Sequence, residues 1–301
     1  MSNVMKVWSN GQLVEPEETK VSLLSHGFSR GSAIFDVFGT YPSPSGTLAF
    51  RMDAHLDRLI NSANVLEMDI PYSKAELMTA CAEVVKINNM GTGLVKILAY
   101  WGGESAVALV PNEPLDVTIF CVPGTPDLGL GDRILLSACI SKWRKLDSAS
   151  VPTDAKACAN YLNGYLARKD AVNRGCDLGI MLDKNNMLAE GSIEAVFIVK
   201  DGILKVPPLD HVLKSISRES IIDVALHAGI PVEITAISKE ELVCADEIFA
   251  AHTLIRVMPI ERLDSRCLSA PGPITSQVMK LMEDLFSYKT DKFMSWFQPL
   301  T

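Results

Sequence analysis

The chain has 301 residues, of which 48% are hydrophobic and 21% charged, the composition of a folded globular protein of about two domains. Its 28 Lys and Arg against 36 Asp and Glu give a net charge of −8, which argues against a nucleic-acid-binding protein. No apolar run reaches the roughly 18 residues of a membrane helix, and residues 1–12 lack the apolar centre of a signal peptide. Seven cysteines without CxxC spacing predict reduced thiols in a cytoplasmic protein and no metal site.

The first 122 residues mix strand and helix patterns. Asn10-Gly11 is a hairpin turn signal between two short strands. An apolar stripe predicts a helix over residues 52–65, and Ser73 is a suitable N-cap for a second helix over 74–87. The predicted strands of this part are residues 4–8, 12–14, 48–51, 94–100 and 117–122.

Residues 123–132 are rich in Pro and Gly and predict a linker between a domain of residues 1–122 and one of residues 133–301. Asp201-Gly202 predicts a second hairpin. Neither GxGxxG nor GxxxxGK[ST] occurs, so the sequence indicates neither a Rossmann site nor a P-loop. The balance of elements predicts an α+β protein, with strands at 133–141, 180–182, 195–200, 203–206, 232–236 and 247–251 and helices at 159–173, 217–227 and 239–244.

Lys156 lies at the end of a polar loop, among small residues and just before a predicted helix. Two interpretations are open from the residues alone. It is an exposed loop lysine, as most lysines are, or a partly desolvated amine that acts as a nucleophile.

The segment with Lys156, Asn160, Tyr161 and Leu162 resembles the Schiff-base lysine segment of the fold-type IV pyridoxal-phosphate enzymes. That family includes branched-chain aminotransferases, D-amino-acid aminotransferases, R-selective amine transaminases and aminodeoxychorismate lyases. Five further segments resemble family motifs in the same order: residues 25–31 with Phe35-Asp36, residues 50–59, Glu190-Gly191-Ser192 with Val196-Phe197, residues 216–218, and residues 245–247 with Thr253.

The resemblance implies the two-domain fold-type IV architecture, with a small N-terminal domain and a larger C-terminal domain that binds pyridoxal 5'-phosphate. It implies an aminotransferase in which Lys156 forms the imine with the cofactor and shuttles the proton. Glu190 is expected to pair with the pyridine nitrogen. The other implied cofactor contacts are Arg58, Ile216, Ser217 and Thr253 to the phosphate, Tyr161 to the 3' oxygen and Leu213 to the ring face.

Several positions depart from the family pattern, and most lie on the substrate side. Arg30 stands where the branched-chain enzymes usually carry Tyr, and Lys96 stands where they carry Arg. Both are candidates to bind the substrate carboxylate, since cationic side chains recognise that group. On the cofactor side, Ser215 replaces a Gly and Ala195 replaces an Asn.

The resemblance implies amino-acid and 2-oxo-acid substrates and a homodimer with active sites near the subunit interface, without nucleic acid or membrane. Three alternatives remain open: a lyase of the aminodeoxychorismate type, a transaminase for D-amino acids or R-amines, and a non-catalytic binding protein. The lyase interpretation is weakened because Asp36-Val37 offers no hydroxyl where such lyases tend to use Thr.

Overall fold

The structure is a computed structural model that describes residues 5–105, 107–124, 134–210, 212–253 and 257–301. The chain divides into two compact units: Met1–Pro126 with Ala155–Ala159 and Ser295–Thr301, and Asp127–Asp154 with Asn160–Met294. The predicted linker lies mostly outside the described residues. The two-domain division of the sequence assigned Lys156 to the C-terminal part, whereas the structure groups Ala155–Ala159 with the first unit.

The described part of the first unit contains an antiparallel sheet and three α-helices. Up to residue 126 its elements are β1 (Val7–Ser9), β2 (Gln12–Val14), α1 (His26–Arg30), β3 (Ala33–Ser43), β4 (Gly46–Phe50), α2 (Met52–Val65), α3 (Lys74–Ile87), β5 (Gly93–Tyr100) and β6 (Asp116–Pro123).

The second unit alternates strands and helices. Its elements are β7 (Leu136–Ile140), α4 (Tyr161–Asn173), β8 (Leu178–Leu182), β9 (Leu188–Glu190), β10 (Ala195–Lys200), β11 (Ile203–Val206), α5 (Ile216–His227), β12 (Val232–Ile234), α6 (Lys239–Val243), β13 (Glu247–Ala251), β14 (Met258–Leu263), β15 (Arg266–Cys267) and α7 (Pro273–Phe286). The final strand, β16 (Phe297–Pro299), belongs to the first unit.

Each unit has its own sheet and core. In the described part of the first unit the strand order is β16-β4-β3-β5-β6-β1-β2, and Phe38, Leu56, Leu59 and Ile97 form the centre of the core against α2 and α3. In the described part of the second unit the order is β12-β11-β10-β13-β14-β7-β8-β9, with β15 beside β14. This second sheet is mixed, because β14, β7 and β8 run parallel and β10 runs antiparallel to β13.

Local sequence signals account for the ends of several elements. Ser73 and Glu76 form a reciprocal capping box at the start of α3. Asn10 and Gly11 both have positive φ, as do Asp201 and Gly202, which matches the twist of two-residue hairpin turns. None of the helices in the described ranges has the length and apolar character to cross a membrane.

Candidate active site

Two hydrogen bonds hold the backbone of Lys156 between β3 and α2. Its N–H donates to Ser62 Oγ at 2.9 Å, and its carbonyl accepts from Phe35 N–H at 3.1 Å. The lysine is 9% exposed, and Nζ lies 4.7 Å from the centroid of the Phe35 ring. Lys156 is therefore a buried amine on a fixed backbone and not an exposed loop lysine. That is the environment in which a lysine acts as a nucleophile.

A second ammonium contacts the same aromatic ring. Lys96 Nζ also lies 4.7 Å from the Phe35 centroid, because β5 and β3 are neighbours in the sheet. Burial raises the pKa of the nearby Cys158 thiol, and the positive charges of Lys96 and Lys156 oppose that shift. The structure thus brings two of the predicted residues together, and two ammonium groups near one ring favour an anionic ligand.

Arg58 lies in a buried ion-pair cluster that the sequence analysis missed. Its Nε and Nη2 each donate to the Asp36 carboxylate at 2.8 Å, and His55 Nδ1 lies 2.7 Å from Asp36 Oδ1. Asp36 is 0% exposed and Arg58 8%. Burial alone raises the pKa of Asp36, but Arg58 and His55 outweigh it and hold that pKa well below its usual range. Burial lowers the pKa of His55, and Asp36 opposes that shift.

Arg30 is exposed at the end of the short helix α1. Its Nη1 lies 3.2 Å from Ser29 Oγ and 3.3 Å from the Ser105 carbonyl oxygen. Gly31 follows with φ 70°, and a Cβ at that position would lie 3.3 Å from Ala159 Cβ. The Arg30 turn therefore packs on the backbone segment that carries Lys156.

In the second unit Glu190 is the last residue of β9 and pairs with Lys145. Lys145 Nζ lies 2.5 Å from Glu190 Oε1, with the two side chains 8% and 16% exposed. Sequence reasoning selected Glu190 but not Lys145, which sits in a polar loop without a motif. The largely buried ion pair fixes the orientation of the Glu190 carboxylate.

Glu190 lines a small pocket together with Leu213, another predicted contact, and Ser215, which departs from the family pattern. Ser215 caps α5, since its side chain accepts from Arg218 N–H at 3.2 Å. The N–H groups of Ile216 and Ser217 lie in the first turn of this helix, where backbone donors have no partner inside the helix and attract anions.

Arg218 also lines this pocket and was not predicted from the sequence. It is 5% exposed, and its Nη2 donates to the Pro207 carbonyl at 2.8 Å. Its buried Nε has no hydrogen-bond partner among the residues that the structure describes. Of the two remaining candidates, Tyr161 is the first residue of α4 and Thr253 follows β13, and both are half-buried.

The residues present fit pyridoxal phosphate. The first unit supplies a buried primary amine beside an aromatic ring. The second supplies a carboxylate, an apolar Leu213 and a capped helix N-terminus with an unpaired guanidinium nitrogen, all around one pocket. An amine, an acid for a pyridine nitrogen and an anion site for a phosphate are the groups that this cofactor requires.

Comparison with known proteins identifies the family. Residues 33–263 match the family "Amino-transferase class IV". A branched-chain-amino-acid aminotransferase of Salmonella typhimurium is 33% identical, with 98% of this chain and 97% of the relative covered. A branched-chain aminotransferase structure from Thermoproteus uzoniensis with norvaline has a TM-score of 0.94 at 33% identity, covering 99% of both chains.

A T.th. branched-chain amino acid aminotransferase, complexed with N-(5'-phosphopyridoxyl)-L-glutamate, has a TM-score of 0.92 at 30% identity, with 99% of both chains covered. The expected fold type, α+β class, cofactor and enzyme class are confirmed. The chain belongs to the class IV aminotransferases, the fold-type IV enzymes that transfer amino groups with pyridoxal 5'-phosphate.

Proposed function

We propose that Lys156 is the lysine that holds the cofactor and that this aminotransferase acts on amino acids with apolar side chains, as the branched-chain enzymes do. The observation that carries the first part is the fixed, buried amine of Lys156 against Phe35. Bound pyridoxal phosphate supplies an electron sink and a carrier for the amino group.

The protein groups then have separate tasks. Lys156 moves a proton at the substrate Cα, since its amine is desolvated and its backbone is held at both sides. Glu190 holds a proton at the pyridine nitrogen. The first-turn N–H groups of Ile216 and Ser217 bind the phosphate at the positive end of α5.

Four further residues complete the proposed contacts. Thr253 donates a hydroxyl to the phosphate, and Arg58 adds a guanidinium to it while it stays paired with Asp36. Tyr161 donates to the ring oxygen, and Leu213 excludes water from one face of the ring. The pocket that Leu213 shares with Glu190 supports the last assignment.

Borohydride reduction followed by peptide mapping tests the role of Lys156. The reduced cofactor is expected on the Lys156 peptide, and Lys156→Ala is expected to lose both the label and turnover. Lys96→Ala is the matched control, because it removes the other ammonium at the Phe35 ring and is expected to keep the label. A label on any other lysine contradicts the assignment.

An apolar pocket supports the substrate class. It measures about 540 Å³ and is lined by Phe28, Ala33, Leu98, Tyr100 and other residues of the first unit. Leu98 lies opposite Phe35 in the sheet, so the pocket continues the face that carries the two ammonium groups. An apolar surface beside cations suits an amino acid with an aliphatic side chain and a carboxylate.

A donor and acceptor panel tests the substrate class, with L-branched-chain amino acids, D-amino acids and simple amines as donors. The highest kcat/KM is expected for the L-branched-chain donors. A preference for D-amino acids or for amines without a carboxylate contradicts the proposal, and pyruvate release without an acceptor indicates a lyase.

The enzyme also forms a homodimer in this proposal. Three large hydrophobic side chains of one loop are 75–88% exposed, namely Val107, Leu109 and Val110. Phe28 is 66% exposed on α1, which that loop contacts through a hydrogen bond between His26 and the Leu109 carbonyl. An exposed apolar patch of this kind is typical of a protein interface.

Light scattering after size exclusion tests the dimer. Val107→Asp is expected to shift the mass towards the monomer, while Leu226→Asp, at an exposed leucine of the second unit, is expected to leave it unchanged. A monomeric wild-type protein contradicts the proposal. We also propose a cytoplasmic location for this enzyme. The seven free cysteines support it, because free thiols fit a reducing compartment.

A further inference from the structure

Lys145 and Glu190 are both anchored to strand β8. The Lys145 N–H donates to the Leu182 carbonyl at 3.0 Å, and Glu190 pairs with Met181 in the β8–β9 ladder. Their side chains meet with Nζ 2.5 Å from Oε1, and both are largely buried. Because two neighbouring residues of one strand hold the two backbones, the ion pair has a fixed geometry and leaves Glu190 Oε2 for another donor.

A second ion pair neutralises the other acid of the same turn. Arg168 contacts Glu194, which is 3% exposed and also accepts from Ile193 N–H at 2.9 Å. Burial raises the pKa of Glu194, while Arg168 opposes that shift. Each carboxylate of the 190–194 turn therefore has its own cation, and for Glu190 that cation is Lys145.

The charge of Lys145 decides where a proton shared by Glu190 and a pyridine nitrogen resides. When the proton is on the nitrogen, the two groups are a carboxylate and a pyridinium. When it is on the carboxyl oxygen, both groups are neutral. Burial favours the neutral form, because it disfavours charges. The Lys145 ammonium contacts the carboxylate and lies farther from the pyridine ring. It therefore attracts the carboxylate more strongly than it repels the pyridinium, and this favours the charged form of the pair.

We propose that Lys145 is a positioning residue that holds Glu190 as a carboxylate and thereby keeps the proton on the pyridine nitrogen of the cofactor. This rests on the proposed role of Glu190. A protonated ring withdraws electrons from the substrate carbon, so Lys145 supports catalysis without contact with substrate or cofactor.

The test is the ¹⁵N NMR shift of the ring nitrogen in holoenzyme loaded with ¹⁵N-pyridoxal phosphate. Wild type and Lys145→Arg are expected to show a protonated nitrogen. Lys145→Gln keeps a hydrogen-bond donor to Glu190 but no charge, and Lys145→Met removes both. Both neutral variants are expected to show an unprotonated nitrogen and a kcat lower by about ten- to a hundredfold, with KM changed less than about threefold.

Two controls separate the possible failures. Lys142→Gln removes an exposed lysine of the same segment and is expected to match wild type in both readouts. Glu190→Gln is expected to deprotonate the ring. A protonated ring in Glu190→Gln overturns the role of Glu190 itself. An unprotonated ring in Glu190→Gln together with a protonated ring in Lys145→Gln and Lys145→Met overturns only the role of Lys145.

Discussion

Arg58→Ala separates a structural role of this arginine from its proposed contact with the phosphate. The substitution leaves Asp36 without its two hydrogen bonds of 2.8 Å, at a position that is 0% exposed. Removing one partner of a buried pair costs about 3–5 kcal/mol, because the other charge stays buried and unpaired. The equilibrium constant for folding is thus expected to fall roughly a hundred- to several-thousandfold.

Urea unfolding of the cofactor-free protein measures this loss. Lys74→Ala is the matched control on the neighbouring helix, because it breaks the Lys74–Asp57 pair, whose side chains are 34% and 64% exposed. Exposed pairs contribute about 0–1 kcal/mol. A loss below about 1 kcal/mol for Arg58→Ala, equal to that of the control, refutes the argument that Asp36 depends on Arg58.

A double variant isolates the phosphate contact. Asp36→Asn with Arg58→Met removes both charges, and Asn remains as a neutral partner for His55. Stability is expected to recover in large part, as it does when both members of a buried pair are replaced. Cofactor affinity is expected to stay low by about ten- to a hundredfold, the loss of one charge-assisted hydrogen bond. Recovery of both properties means that Arg58 does not bind the phosphate.

Three further outcomes are expected. The free energy of unfolding falls as the pH drops below about 6.5, because His55 then takes up a proton in the unfolded chain, whereas burial lowers its pKa in the native protein. It falls further below pH 3.8, because Asp36 then takes up a proton in the unfolded chain, whereas its native pKa is lower. Urea unfolding over a pH series measures both effects, and His55→Gln is expected to flatten the first of them. Arg30→Ala raises KM for amino acids about tenfold and leaves KM for simple amines unchanged, and equal effects on both disprove the carboxylate contact. Gly164→Ala places a Cβ 2.0 Å from the Ser192 carbonyl oxygen and is expected to lower the free energy of unfolding by about 1–3 kcal/mol. Gly91→Ala is the control, because a Cβ there meets nothing within 4 Å and is expected to leave stability unchanged. An unchanged free energy of unfolding in Gly164→Ala contradicts a tight contact between α4 and Ser192.

Regular local signals made much of the fold predictable from sequence. Helices α2 and α3 have the predicted bounds, because an apolar stripe and a capping box are local features. Strands β10, β11 and β13 also match. Helix α4 begins at Tyr161 and not at residue 159, because Cys158–Asn160 forms a 3-10 turn before it.

The sequence analysis did not predict strand β3, because polar residues such as Asp36 and Thr40 interrupt the apolar pattern on its buried face. Asp36 lies fully buried within it, and its partners His55 and Arg58 are 19 and 22 residues away on α2. The burial of Arg58, which is 8% exposed, was not predictable from the pattern of α2 alone, because it depends on Asp36 in another element. Helix α7 was also missed. Lys145 offered no signal, as a lysine in a polar loop is ordinary until its partner is known.

The departures from the family pattern differ in whether the position acts through its backbone or through its side chain. Ser215 replaces a glycine at φ −79°, a conformation open to any residue, and its side chain caps α5. In the proposed function the backbone N–H groups of Ile216 and Ser217 bind the phosphate, so the side chain of residue 215 is free to change. On the Phe35 face the chemistry depends on side chains, since two ammonium groups meet one ring. We expect a change of Lys96 or Arg30, the two candidates for binding the substrate carboxylate, to alter which carboxylate is accepted, and we expect a change at Ser215 to preserve cofactor binding. Differences in substrate choice are therefore expected to arise in the first unit.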